Sequence, residues 1–312
     1  MTGRSGPTTG GNLHAVRRGA GRRTAQHASC IDYLYDRDIR EIERTDMAST
    51  TARAGRTAGP ATGMDTARTW AVLAAAVLQA VAGSLGGSGT FGESQRVLSD
   101  RYPSLITPAT VAFSVWGLIY LALLVYAVYQ SLPGQRSRPV HRATGWLFVA
   151  TAVFNAGWIV VFSQEFLGTA QLLIAALLVT LAVVLRRLAA FPAEGTADRA
   201  LLHGPLAFYA GWVSLATVAG FSVTLTYWGA PLGPVAAAAL LLVGALGAGV
   251  ATRRTTAALP YAATAAWALV WVAVESAATG TVPVTVVAVL GVTAVVVAAV
   301  LRAREGLRPA FG

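Results

Sequence analysis

Beyond residue 63 the chain alternates long apolar runs with short gaps that carry Arg, Gly or Pro. A helix needs roughly 20 predominantly apolar residues to cross the hydrocarbon core of a bilayer. Eight runs of about that length emerge: Trp70–Gly86, Thr110–Gln130, Gly145–Ser163, Ala170–Leu188, Leu206–Tyr227, Val235–Ala251, Leu259–Ala277 and Val282–Leu301. The first and the sixth are the shortest. Most runs are apolar all round, as expected of a helix surrounded by lipid and other helices. The pattern therefore predicts an all-α fold, a polytopic transmembrane helical bundle with about eight spanning helices.

Residues 1–63 break the pattern. Arg, Gly, Thr and Ser dominate, and no apolar run reaches spanning length. Such a composition buries too little to fold on its own, so a disordered Arg-rich lead is expected. Ile31 to Ile42 mix acids, Arg and Tyr and could form only a short helix, since no apolar stripe supports one. Met64-Asp65-Thr66-Ala67-Arg68 stands directly before the first apolar run, so a native start of translation at Met64 is a further expectation. A cleaved signal peptide is the alternative for that run. With spans following closely, it reads better as an ordinary first helix.

Composition agrees with membrane insertion: 55% of residues are hydrophobic and only 12% charged, against about 45–50% and 25% in soluble domains. The net charge of +10 invites a nucleic-acid reading. The placement of charge excludes it. All 24 basic residues are Arg, and those after residue 63 sit at the ends of the runs or in the segments beside them. If the N-terminus is cytoplasmic, twelve of these arginines fall on cytoplasmic segments, and only Arg96 and Arg101 fall outside. The positive-inside rule thus predicts a multi-pass cell-membrane protein with both termini cytoplasmic. Trp70, Tyr227 and Trp228 lie near the predicted helix ends and fit interfacial aromatic belts. Cys30 is the only cysteine, which rules out an intramolecular disulfide.

Within the runs, aromatic residues recur at helical spacing. Phe113, Trp116 and Tyr120 share one face of the second run; Asn155, Trp158 and Phe162 share one of the third; Tyr209, Trp212, Ala216 and Gly220 share one of the fifth. Such stripes can simply pack helix on helix, with Ala216 and Gly220 allowing close approach. They can equally line one pocket. Asn155 weighs toward function, because an amide deep in the membrane needs a partner. In the seventh run Trp267 and Trp271 share a face, where they could shield the bundle or line a second cavity. Glu275 sits near the outer end of that run, where a carboxylate reaches the interface at little cost.

At these same residues the chain resembles the tryptophan-rich sensory protein or translocator protein (TspO/MBR) family. Tyr209-Ala210-Gly211-Trp212-Val213-Ser214-Leu215-Ala216-Thr217 is similar to its Tyr-x-x-Trp-Val-x-x-Ala pattern. Asn155-Ala156-Gly157-Trp158 resembles its Asn-x-x-Trp stretch. Thr107-Pro108, followed by Phe113, Trp116 and Tyr120, resembles its Thr-Pro-Pro, Phe, Trp and Tyr series. Gly83, Gly86 and Gly87 look like the glycine-rich end of its first helix. Ala109, Thr110 and Val111 stand where family members carry a second Pro and a Trp, and Gly220 replaces a common Asn.

The resemblance covers residues 66–229. It implies a five-helix TspO-like module, followed by three additional helices over 230–306, as in a longer bacterial variant. It also implies a pocket reached from the loop between the first two helices, with Pro108, Phe113, Trp116, Tyr120, Asn155, Trp158, Phe162, Tyr209, Trp212 and Ala216 as ligand-binding residues. The expected ligand is hydrophobic and planar, porphyrin-like (haem or protoporphyrin) or sterol- or lipid-like. No cofactor is required, and the expected partners are the lipid bilayer, that ligand and a second copy in a homodimer. No acidic pair, metal-spaced histidines or phosphate-cradling glycine loop appears, so an enzyme is not expected. A secondary transporter or permease for a small hydrophobic metabolite is the alternative, although it calls for repeats and polar midplane groups that the sequence shows poorly.

Overall fold

A computed structural model describes residues 60–312, together with Gly3. The expectations for the N-terminal lead, including Ile31 to Ile42, therefore lie outside the described residues up to residue 59. Among the described residues, eight helices are long and apolar enough to cross a membrane: α1 (Gly63–Gly87), α2 (Thr110–Ser131), α3 (Pro139–Ser163), α4 (Leu167–Leu188), α5 (Thr196–Tyr227), α6 (Pro234–Arg254), α7 (Ala258–Ala278) and α8 (Val282–Arg304). A short helix, Gln95–Arg101, lies in the loop between α1 and α2.

Several helices begin before the apolar runs do. α1 starts at Gly63 rather than Trp70, because Thr62 and Asp65 form a reciprocal capping box at its first turn. α3 starts at Pro139 rather than Gly145; proline is favoured in the first turn, where its missing N–H is not needed. The charges in these extra turns are paired rather than solvated. Asp65 binds Arg68 at 2.7 Å and Arg142 at 2.6 Å, which ties the start of α1 to α3. Asp198 takes two bonds from Arg138, each 2.7 Å, and one from the Tyr129 hydroxyl at 2.6 Å, joining α2, α3 and α5. α5 itself contains a wide π-turn over Arg199–His203, followed by Gly204 and Pro205, whose ring cannot donate the bond a regular helix would require.

Five helices close a ring in the order α1, α2, α5, α4, α3 and back to α1. α7 packs on the outside of α5, and α6 and α8 pack with α7 to form a three-helix group. The contact between α5 and α7 is close because Gly211 faces the Tyr261 carbonyl; a Cβ there would lie 2.1 Å from that oxygen. Thr264 donates to the Phe208 carbonyl at 2.6 Å and Ser214 meets the Tyr261 hydroxyl at 2.7 Å along the same seam. The described residues from 60 onward thus form a single compact unit. Large apolar side chains such as Val77, Leu118, Leu172, Val243 and Leu290 project outward, as lipid-facing positions do.

Arginines gather at one end of the bundle. There Arg187 donates to the Ala143 carbonyl, Arg302 to Thr255 and Arg308 to Ala189, at 2.6, 3.2 and 3.4 Å. The start of α1 and the end of α8 share this end. The loop over residues 88–109 lies at the other.

Candidate binding site

The stripes on α2, α3 and α5 converge in the half of the bundle nearer that loop. Trp116 is their centre. Its ring stacks on Tyr120 at 5.4 Å and on Trp158 at 5.9 Å, and meets Tyr209 at 6.1 Å and Trp212 at 6.0 Å edge to face. Phe113 meets Trp212 at 6.1 Å, and Phe162 meets Trp158 at 5.4 Å. Edge and offset contacts of this kind add to burial, so the cluster is a rigid wall.

Above that wall is a cavity. Pro108, Phe113, Trp116, Trp158, Phe162, Trp212 and Ala216, seven of the ten expected site residues, line it. Tyr120, Asn155 and Tyr209 form the layer beneath. The Asn155 amide nitrogen donates to the Tyr120 hydroxyl at 3.3 Å, on a neighbouring helix, while its buried carbonyl oxygen is left without a partner. Ala216 and Gly220 face the cavity, so here small residues make room as well as permitting close approach.

Sequence reasoning missed other parts of the wall. Ala219 and Val223 continue the face of α5 and were within reach of the same spacing argument. Gln95 and Ser99 come from the loop helix, one turn apart. Leu241, Ala268 and Val272 come from α6 and α7, whose Ala- and Val-rich sequences give no signal that singles them out. Trp267 and Trp271 do not line this cavity. They brace the 3₁₀ turn Thr110–Ser114 that opens α2: the Trp267 indole donates to the Ala112 carbonyl at 3.1 Å, and Ala109 donates to the Trp271 carbonyl at 3.2 Å.

The space among the aromatic rings is a tight cavity of about 60 Å³. It adjoins a wider vestibule of about 460 Å³, with Ser99, Thr107 and Pro108 common to both. Asp100, Ser104, Ser222, Thr226 and Glu275 make the vestibule polar. A third space, about 230 Å³, lies between the ends of α1 and α2, where Gly83 and Gly87 face Tyr120, Phe113 and Gln95. Gly83 is required there, because a Cβ would stand 2.1 Å from the Tyr120 ring.

The loop that covers the cavity is clasped. Arg101 bridges Glu93 at 2.7 Å and also binds Glu165 at the α3–α4 turn, and the Tyr102 hydroxyl donates to Glu165 at 2.8 Å. That bond to Glu165 holds the Tyr102 phenol above its ordinary pKa, so it remains a donor. Glu165 has φ +63°, the one non-glycine residue in the left-handed region among those described.

No group of three or more His, Cys, Asp or Glu side chains able to hold a metal occurs among the described residues. His141 and His203 are buried rather than solvated at their helix edges.

An all-helical bundle with eight apolar spanning helices and an aromatic-walled internal cavity defines a polytopic membrane protein. The family profile of the TSPO-like proteins matches residues 67–301, so the chain belongs to that family. The match runs from α1 into α8 and so takes in the three helices beyond the five-helix ring. Comparison with curated proteins and with solved structures gives no match.

Proposed function

We propose that this protein binds a hydrophobic, planar ligand, porphyrin-like or sterol-like, in the chamber walled by Trp116, Trp158, Phe162 and Trp212, without catalysing its conversion. The observation that carries the reading is the convergence of aromatic faces from three helices on a cavity with an open vestibule. The rings pack on one another and still border a small cavity that continues into the vestibule. An apolar pocket with few polar groups is the usual form of a small-molecule site. In this reading the protein sits in the cell membrane with the arginine-rich end and both termini cytoplasmic, and the ligand enters from the opposite side.

The test is a titration of detergent-purified protein with protoporphyrin and, separately, with a fluorescent sterol, following Trp fluorescence. A saturable quench is expected for at least one of them. Trp158→Phe and Trp212→Phe should diminish it, and Ala216→Phe, which fills the chamber, should weaken affinity about tenfold or more. An unchanged saturable quench in both Trp variants overturns the assignment. Transport is a second reading, favoured by the entry of Leu241, Ala268 and Val272 from α6 and α7 into the cavity wall. It would appear as ligand flux across proteoliposomes.

A further inference from the structure

We infer that the chamber selects an uncharged ligand bearing a hydrogen-bond acceptor, such as a carbonyl or ester oxygen, and rejects carboxylate-bearing ligands of the same shape. The inference rests on the binding reading above and deepens it by naming the ligand's polar chemistry.

Two donors in the wall have no acceptor. Trp212 lines the chamber and is 1% exposed, and its indole N–H is unpaired. The Thr107 hydroxyl, at the junction of chamber and vestibule, is also buried without a partner. A buried donor left unmet is unfavourable, and a ligand oxygen that reaches it removes the penalty on binding. Indole can only donate, so the Trp212 position reads an acceptor and nothing else.

Charge supplies the other half. The described residues that line the chamber and its vestibule include no Arg, and the vestibule carries Asp100 and Glu275, neither ion-paired among the described residues. Arg101, adjacent to Asp100, is already engaged by Glu93 and Glu165. A ligand carboxylate would pass two like charges and then lie in an apolar space where none of the described lining residues is a cation, which disfavours its charged form. An ester of the same molecule meets neither obstacle.

A matched pair isolates the effect: protoporphyrin against its dimethyl ester, which keeps the macrocycle and removes both charges. With the full chain in detergent at neutral pH, the ester should bind about tenfold or more tightly than the diacid. Trp212→Phe, which keeps the ring stacking and deletes the donor, should weaken ester binding about three- to tenfold. The double change Asp100→Asn with Glu275→Gln should improve diacid affinity and leave that of the ester unchanged. Diacid binding as tight as that of the ester, or an ester affinity indifferent to Trp212→Phe, overturns the inference while leaving the binding reading intact. Absence of saturable binding for diacid, ester and sterol alike overturns the binding reading itself.

Discussion

Asp198 shows how a single charge can organise a membrane bundle. Its carboxylate is 2% exposed and receives Arg138, Tyr129 and the Glu194 amide, so three elements depend on one side chain. Removing one partner of a buried pair strands the other, at a cost of about 3–5 kcal/mol. Asp198→Ala is therefore expected to lower the unfolding temperature in detergent markedly, with Asp198→Asn intermediate because it still accepts from Tyr129. The Asn155–Tyr120 pair predicts a different pattern. Tyr120→Phe leaves a buried amide unmet and should cost about 1–3 kcal/mol, whereas adding Asn155→Leu should restore much of the loss. A double variant as unstable as the sum of the singles would show that the amide has another partner, such as a ligand.

Between elements, stability depends on how closely backbones approach and on how loops are fastened. Gly211 permits the α5–α7 seam, and with it the placement of Ala268 and Val272 in the chamber wall. Gly211→Leu should separate α7 from α5 and weaken ligand binding even though residue 211 does not line the cavity. The clasp at Glu165 makes a sharper case, since its left-handed backbone would suit glycine while its carboxylate is what Arg101 and Tyr102 require. Glu165→Ala keeps the strain and loses the clasp; Glu165→Gly loses both. The glycine variant should be the more stable of the two, yet amide exchange over residues 93–102 should quicken in both. Exchange unchanged from the parent would show that the loop is held by other contacts. Because Tyr102 is raised above its ordinary pKa, its share of the clasp persists at neutral pH and fades only as pH climbs through the alkaline range.

At the scale of the whole molecule, what the sequence made legible follows from what hydropathy and spacing can register. All eight helices were visible, because lipid demands long apolar runs and leaves breaks between them. The starts of α1 and α3 were not, because the turns holding Asp65, Arg68, His141 and Arg142 look polar in sequence and become helix only once those groups pair or bury inside the bundle. The aromatic chamber was half legible. Helical spacing exposes Phe113, Trp116, Trp158 and Trp212, but no periodicity says that α7 docks on α5 and carries Ala268 and Val272 to the same space. Orientation belongs to this scale too, and it rests on the twelve arginines at one end against the two in segments at the other. With Cys30 changed to Ser the chain has no native cysteine. Single cysteines then report sidedness: Ala230→Cys, exposed between α5 and α6, should react with an impermeant maleimide on intact cells, and Ala190→Cys, exposed between α4 and α5, only after permeabilisation. The reverse labelling would invert the topology and place the vestibule on the cytoplasmic side. The ligand would then have to be drawn from the cytoplasm, and the proposed direction of entry would fail while the chamber's chemistry stood.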